Sequence, residues 1–398
     1  MKKKIKYDFL IIGAGFIGSI MALMLASRKL KVALIEKNKN LNVSDDRTTA
    51  LSQGTTRILD EINCWQELIT FCQPIDQIYV SNKLSNNYLK FNSRRLNEGY
   101  LGYIIENINF RKILNTKVRN SKFIDLYLNE KVVNINQDRI CQVSTPKYDF
   151  LTNLLVIADG RNSSSKDLLG FKYYYKKYYQ NAYIFDIFHD KPHHGIALER
   201  FFPEGPLAIL PMLSEKGRNR SSVVWTIDEA YGDFSALSSS YLKKEFLQRY
   251  NNFFGNAYIN SKPLKYPLNL VYCYDLYKKN AVLIGDASQG IHPIAGQGFN
   301  LGVRDCQLLF KNIEKSTFLG EDLASCAFLN NYEKDRYLDR LLFIESTDKL
   351  NTLFSLQNSF LGSMIYLGFN FLNRSELLKN FLMRAAMGLV FTTSSGRS

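Results

Sequence analysis

Gly285-Asp286-Ala287-Ser288-Gln289-Gly290-Ile291-His292-Pro293-Ile294-Ala295-Gly296-Gln297-Gly298-Phe299-Asn300-Leu301-Gly302-Val303-Arg304-Asp305 is the stretch that decides the fold. A short apolar strand pattern, Ala281 to Ile284, precedes it, and a helical pattern runs from Phe299 to Ile313. A strand, a Gly-rich loop and a helix N-terminus in that order hold an anion, or the electron-rich edge of a ring, on unpaired backbone N–H groups. The pattern predicts a cofactor site.

The same device recurs near the start of the chain. Tyr7-Asp8-Phe9-Leu10-Ile11-Ile12 has the pattern of a buried strand, Gly13-Ala14-Gly15-Phe16-Ile17-Gly18 that of a turn, and Ser19 to Arg28 that of a helix. Lys31 to Glu36 then supplies a second strand ending in an acid. In a dinucleotide fold Gly13 makes the tight turn, Gly15 lets backbone approach a pyrophosphate, Gly18 lets the helix pack on the strand, and Glu36 takes ribose hydroxyls. Lys2-Lys3-Lys4 ahead of an apolar stretch imitates a secretory leader. Against that, Asp8 interrupts the stretch, all three glycines lie within it, and cleavage near Ser27 would destroy the βαβ unit, so a cytoplasmic protein is expected.

A third such site lies between them, where the strand pattern Leu154-Leu155-Val156-Ile157-Ala158 runs into Asp159-Gly160-Arg161-Asn162-Ser163. In an open α/β sheet ligands collect at the carboxyl ends of the strands, so three loops distant in sequence can converge on one extended cofactor.

Composition is compatible with a large enzyme. At 398 residues and 46% hydrophobic content the chain can bury a sizeable core in two or three regions. Cys64, Cys72, Cys141, Cys273, Cys306 and Cys326 are scattered without a C-x-x-C pair, which indicates buried free thiols rather than a zinc site or a disulfide framework. His189, His193, His194 and His292 form no ligand set with carboxylates, so no metal is expected; His193-His194 has the look of a surface loop pair. The formal net charge of +14 fits either a Lys-rich codon bias or attraction to anionic lipid, worth about 1 kcal/mol per basic residue near the surface. No nucleic-acid fold signature is present, and no nucleic-acid partner is expected.

These motifs together resemble the flavin-dependent aromatic hydroxylases of the para-hydroxybenzoate hydroxylase fold, the class A flavoprotein monooxygenases, and among them the ubiquinone-biosynthesis hydroxylases. The resemblance covers nearly the whole chain. It rests on the N-terminal fingerprint, on Arg47 within Asp45-Asp46-Arg47-Thr48-Thr49-Ala50-Leu51-Ser52, on Asp159-Gly160, on Gly205-Pro206 with Pro211, and above all on His292-Pro293-Ile294-Ala295-Gly296-Gln297-Gly298-Phe299-Asn300-Leu301-Gly302.

The resemblance implies FAD as cofactor, with Gly13, Gly15, Gly18 and Glu36 on its ADP half, Arg47 and Arg111 toward the diphosphate or flavin, and Asp286 on ribityl or ribose hydroxyls. Pro293, Gly296, Gln297, Gly298, Phe299 and Asn300 would follow the isoalloxazine, and Asp159 with Gly160 would serve FAD and a nicotinamide donor, NADH or NADPH. Ser164-Ser165-Lys166 departs from the family's continuation, in which an apolar residue and Arg follow the Ser; Lys keeps the charge but loses the bidentate fork, so donor binding is open. The implied chemistry is reduction of FAD by NAD(P)H, addition of O2 as a flavin hydroperoxide, and oxygen transfer to the ring of a polyprenyl phenol. His292 either assists phenol deprotonation or shapes the loop.

The implied fold is α/β: a Rossmann-like FAD-binding domain (1–74, 100–175 and 268–345), an inserted, mostly antiparallel substrate sheet (75–99 and 176–267), and a C-terminal helical region (346–398). Strand patterns at Asn181 to Phe188, Gly195 to Phe202, Leu207 to Pro211 and Ser221 to Thr226 fit that sheet, as does Ile75 to Phe91. Phe185, Phe201, Phe202 and Trp225 either line a pocket or pack the sheet. The apolar run Phe360 to Leu372, flanked by Arg374, Lys379 and Arg384, falls short of the roughly 20 residues that span a bilayer. It is an interfacial helix near a mouth for a polyprenyl tail, a face for other quinone-biosynthesis proteins, or core packing, and Thr392 to Ser398 is expected to be disordered. A peripheral location at the inner face of the membrane follows from the first of these. Two alternatives stay open: a hydroxylase of a small soluble aromatic, and a low-turnover FAD-binding scaffold subunit.

Overall fold

The computed structural model describes residues 2–42, 45–83, 85, 87–96, 98–232, 239–355 and 368–390, with the backbone alone for 239, 295 and 350–355. Residues 360–367 of the C-terminal apolar run and the tail from Thr392 lie outside the described residues.

Along the chain the elements are β1 (Lys3–Ile12), α1 (Phe16–Ser27), β2 (Val32–Glu36), β3 (Thr48–Ser52), α2 (Gln53–Glu61), β4 (Cys72–Ile75), β5 (Gln77–Asn82), β6 (Leu89–Asn92) and β7 (Gly102–Glu106). There follow α3 (Asn107–Asn120), β8 (Ile124–Leu128), β9 (Asn134–Gln137), β10 (Cys141–Ser144), β11 (Tyr148–Ile157), β12 (Tyr173–His189), β13 (Ile196–Phe202), β14 (Gly205–Glu215) and β15 (Arg218–Asp228). The last part holds α4 (Ser239–Tyr250), β16 (Ala257–Ile259), β17 (Leu264–Cys273), β18 (Tyr277–Lys278), β19 (Ala281–Leu283), β20 (Gln289–Gly290), α5 (Gln297–Leu319), α6 (Cys326–Ser355) and α7 (Glu376–Ala386).

Continuous apolar runs make β1 and β11 central strands of the first sheet, ordered β18-β19-β11-β1-β2-β8, in which β19, β11, β1, β2 and β8 are mutually parallel. Phe9 and Ile11 pack beneath α1, α3 and α5, while Leu10 and Ile12 face the opposite core, the alternation a strand imposes. Because Ile12 pairs with both Ile35 and Ile157, and Ile157 with Leu283, the turns after these strands emerge at one edge. The three Gly- and Asp-bearing loops are therefore neighbours.

A small antiparallel sheet, β3-β7-β4, stands beside that edge. The large sheet runs β20-β17-β12-β15-β14-β13-β5-β6 and is antiparallel apart from the parallel β13–β5 pair. Its strands are longer than their patterns suggested: β12 begins at Tyr173 and β17 ends at Cys273, so the boundaries expected at 175/176 and 267/268 fall inside paired strands. A ribbon of β12 and β17 carries hydrogen bonds from the cofactor side into the sheet, and β20, part of the Gly-rich loop, adds to its edge.

Alternation assigns the two faces of the large sheet. Phe185, Phe202 and Trp225 point outward into a core closed by Phe246 and Tyr250 of α4, so these aromatics pack the sheet rather than line a pocket. The inner face turns toward the small sheet, since Met212 and Ala197 join Ile75 of β4 and Ile104 of β7 in one cluster. His193 is a correction to the surface-pair expectation: it is buried, accepts from Gly195 N at 3.1 Å and pairs with Met212 O at 2.9 Å, whereas His194 is exposed. Five cysteines are buried free thiols and Cys326 is exposed.

The C-terminal helical region begins earlier than 346, because α6 starts at Cys326. It is fixed to α5 by buried charges. Arg336 pairs with Asp305 at 2.6 Å and with Asp339, which also pairs with Arg304 at 2.7 Å. No described helix is long and apolar enough to cross a membrane.

Candidate active site

The N-terminal turn places its glycines as close packing demands. Gly13 has φ +101°, and a Cβ there would lie 2.5 Å from Ala158 O; one on Gly18 would lie 1.9 Å from Gly13 O. A Cβ on Gly15 would meet nothing within 4 Å, so this residue faces open space. That space is a cleft of about 240 Å³ lined by Gly13, Gly15, Glu36, Asp159 and Gly160 among others. A second cleft of about 270 Å³ shares Gly15 and Glu36 and continues past Asp45, Arg47, Arg111 and Tyr266.

In the second cleft Arg47 donates to both Asp45 carboxylate oxygens, Nε at 2.7 Å and Nη2 at 2.8 Å, and its guanidinium lies over the Tyr266 ring. Asn107 Nδ2 donates to Asp45 at 2.9 Å and Arg111 stands 3.6 Å away, its own plane over Phe16. Burial would push the Asp45 carboxyl up, but hydrogen bonds from Arg47 and Asn107 outweigh it and hold it below its ordinary value. Two guanidinia thus gather on one carboxylate at this end of the cleft, while Glu36 lines the other. The buried Nε of Arg111 has no hydrogen-bond partner.

Both helices that start at the Gly-rich turns, α1 after Gly15 and α5 after Gly296, lack a capping side chain and an acid in the first turn. Their first N–H groups are thus left for an incoming anion or ring edge. Asp159 Oδ2 accepts from Ser165 Oγ at 2.8 Å, while Oδ1 is buried without a partner at the cleft wall. Open Gly15, uncapped helix starts, two arginines and an orphaned carboxylate oxygen fit FAD.

Other expected residues are committed elsewhere. Glu36 accepts from Ala14 N at 2.9 Å and from Asn38 N at 3.0 Å, bracing the turn as well as lining both clefts. Gln297 Nε2 donates to Ala386 O of α7. Asn300 is a staple: its Oδ1 accepts from Ser52 N and Thr55 Oγ1, and its Nδ2 donates to Ala50 O and Gly296 O. Phe299 meets Phe16 and Phe110 edge-on in the helix layer. Lys166, where Arg is usual, is buried, donates to Arg161 O at 2.8 Å and lies over Tyr173.

His292 is fully buried. Its Nδ1 accepts from Ile294 N at 3.3 Å, which leaves the proton on Nε2, 3.0 Å from Gln180 Oε1. Burial pushes the imidazole down to about 3. It is neutral, with both nitrogens engaged. Pro293 follows at φ −71°, opening the short turn before Gly296.

Several residues that hold this site have a part that the sequence motifs do not specify. Arg161 Nη1 donates to Asn269 O at 3.0 Å, and Nη2 reaches Ile291 O and Asp286, joining the Asp-Gly turn to the Gly-rich loop and to β17. Asp305 Oδ2 accepts from Gly285 N at 2.8 Å, and Arg340 grips Gln289 Oε1, Ser288 O and Cys273 O. On the inner face of the large sheet, Asp186 stands 3.8 Å from Arg220, which also pairs with Glu106 at 3.0 Å. Burial pushes Asp186 up to about 6, against the pull of Arg220.

The FAD binding domain family profile matches residues 6–338. The chain is 32% identical to ubiquinone hydroxylase UbiL of Rhodospirillum rubrum, over 96% of this chain and 89% of that protein. It is 25% identical to the 3-demethoxyubiquinol 3-hydroxylase of Escherichia coli, covering 96% and 98%. Among solved structures, p-nitrophenol 4-monooxygenase of Pseudomonas putida superposes with a TM-score of 0.78 at 17% identity, covering 96% and 97%. The chain belongs to the FAD-dependent hydroxylases of ubiquinone biosynthesis, a family of FAD-dependent monooxygenases.

Proposed function

We propose that the chain hydroxylates the aromatic ring of a prenylated phenol in ubiquinone biosynthesis, using FAD, O2 and a nicotinamide donor. One observation carries this: β3, stapled to the cofactor loop by Asn300, meets the inner face of the large sheet, where Ala50 and half-buried Leu210 pack against one apolar cluster with Met212. Such an apolar wall beside a cofactor loop makes a water-poor chamber for a ring. The ubiquinone hydroxylases among the relatives support the choice of substrate.

Bound FAD supplies two-electron reduction by the donor and delivery of one oxygen atom of O2 to an electron-rich ring. The chain's own residues hold and tune it. Gly13, Gly15, Gly18 and Glu36 take the ADP half, Arg47 and Arg111 neutralise the diphosphate, and Asp286 binds ribityl or ribose hydroxyls. The N–H groups left free at the start of α5, around Gly298, would serve the ring edge of a bound flavin, where fixed dipoles would stabilise the negative charge of reduction without reorganising. His292 is a positioning residue: a neutral ring with both nitrogens engaged holds the loop and takes no proton. Asp159 and Gly160 serve the ADP half and the donor.

We also place the chain at the inner face of the membrane, on the strength of its net charge of +14 and the exposed Leu377 and Phe381 of α7 beside Arg374 and Arg384. The deciding experiment supplies FAD-loaded protein with NADH or NADPH, with and without a prenylated phenol in air, and follows donor oxidation and product mass. Donor oxidation coupled to a product with one added oxygen atom is expected. Turnover only with short soluble phenols would refute the substrate, and failure of both donors to reduce the flavin would refute the electron source.

A further inference from the structure

We propose that one uncompensated positive charge, buried between α5 and α6 against the cofactor loop, raises the reduction potential of the bound flavin. The proposal rests on the placement of the flavin ring at the start of α5 and is independent of the substrate.

Arg304, Arg336 and Arg340 pack with Asp305 and Asp339, and all five side chains are less than 5% exposed. Asp339 is shared by Arg304 and Arg336, and Asp305 pairs with Arg336. Arg340 spends its hydrogen bonds on neutral groups, Gln289 Oε1, Cys273 O and Ser288 O. Nε of Arg304 and Nη2 of Arg336 are buried without a partner. Tyr332, packed in the same place, adds no negative charge, because burial holds its phenol well above the ordinary value. Three guanidinia therefore share two carboxylates. A buried charge without a partner is costly, so stability alone does not favour the third arginine.

The cluster lies against both ends of the cofactor loop. Asp305 accepts from Gly285 N at 2.8 Å, Arg340 reaches Ser288 O, and Arg304 Nη2 lies 3.5 Å from Oε1 of Gln297, the first residue of α5. Arg304 follows Gln297 by seven residues, which is about 10 Å along the helix at 1.5 Å per residue. The helix start offers about half a positive charge to a ring edge, and the cluster stands behind it with a whole one of the same sign. Reduction by a hydride delivers two electrons and one proton, leaves the donor as a nicotinamide cation and adds one negative charge to the ring. At an effective dielectric of about 20, unit charges about 10 Å apart attract strongly enough to shift an equilibrium about tenfold. Salt screens a buried charge of this kind far less than an exposed one.

The test is the midpoint potential of the FAD-loaded protein, measured without substrate by equilibration against a reference dye. Arg304→Gln makes the cluster neutral and should lower the ratio of reduced to oxidised flavin at a given potential about tenfold, a fall of about 30 mV for a two-electron couple. Asp339→Asn leaves two positive charges in excess and should raise the potential by a similar amount. Arg304→Lys keeps the charge without the fork and should stay near the parent. A merely structural role gives no reason for the two neutralising variants to move in opposite directions. If both leave the potential unchanged, or both move it the same way, the proposal is overturned. Should one of them fail to fold, the sign of the shift in the other decides. Flavin retained in full by Gly298→Trp would overturn the ring placement instead, so the two failures are told apart.

Discussion

Replacing Asp305 by Asn removes half of the charge that balances the buried cluster between α5 and α6. The cluster holds Arg304, Arg336 and Arg340 against Asp305 and Asp339, all less than 5% exposed, so it already carries one excess positive charge. The substitution raises the excess to two and takes the carboxylate from Arg336, itself 0% exposed. Breaking one partner of a buried pair costs about 3–5 kcal/mol, because the other charge stays buried without compensation. With an unfolding entropy of about 2.1 cal/mol/K per residue, 398 residues give roughly 0.8 kcal/mol/K, so Tm should fall by about 4–6 °C if unfolding is a single transition. The exposed pair Arg28–Glu314 is the control: Glu314→Gln should shift Tm by about 1 °C or less. The assay is thermal unfolding followed by the fluorescence of released flavin. Asp305→Asn with Arg336→Leu removes both charges together and should recover much of the loss. If the double variant instead loses the sum of the two singles, the coupling between these residues does not exist and the reasoning is refuted.

Three further outcomes are expected. Gly298→Trp should purify without yellow flavin colour while the cofactor-free protein melts as the parent does, since a Cβ at Gly298 meets only Ile291 at 3.8 Å; full FAD occupancy would show the ring lies elsewhere. His292→Asn should lower turnover yet leave its pH profile between 5 and 8 unchanged, because an imidazole at about 3 does not titrate there; loss of a limb would show that it does take a proton. Asp186, with its folded value raised to about 6, favours the folded state below about pH 4 and loses that contribution as pH rises toward 6. Asp186→Asn should therefore be more stable than the parent at pH 7 by up to about 3 kcal/mol, with the gap closing at pH 4, and a pH-independent gap in urea titrations would contradict the assignment.

The cofactor turns were legible because their signal is local. A buried strand, glycines at fixed offsets and a helix start are all encoded within about twenty residues, and strand-end loops of a parallel sheet must share an edge. Residues that brace those turns were not. Asp45 matters because it collects guanidinia from a loop and from α3, a meeting no spacing reveals. Arg336, Asp339 and Arg340 fall at i, i+3 and i+4, which on a sequence looks like a solvated helix face, and only the packing of α6 on α5 makes them a core. For Trp225 and Phe185 composition announced a sheet, but which face was inside depended on register. Burial of His193 against Met212 O likewise needed the neighbouring strand.

Why polar side chains, rather than an apolar core, hold the cofactor loop follows from the loop's own composition. From Gly285 to Gly298 it has four glycines and must keep its N–H groups unpaired at the start of α5, so it offers few side chains for packing to grip. Its backbone is gripped instead, from several directions: Asp305 on Gly285 N, Arg340 on Ser288 O, Arg161 on Ile291 O, His292 on Ile294 N and Asn300 on Gly296 O. Each bond ends on a peptide group, so each fixes the direction of a dipole as well as the place of an atom. Dipoles fixed before reaction need not reorganise when charge appears on a ring beside them, and that is the condition under which they stabilise it most. Buried charges that are costly for stability are thereby retained where loop geometry decides chemistry.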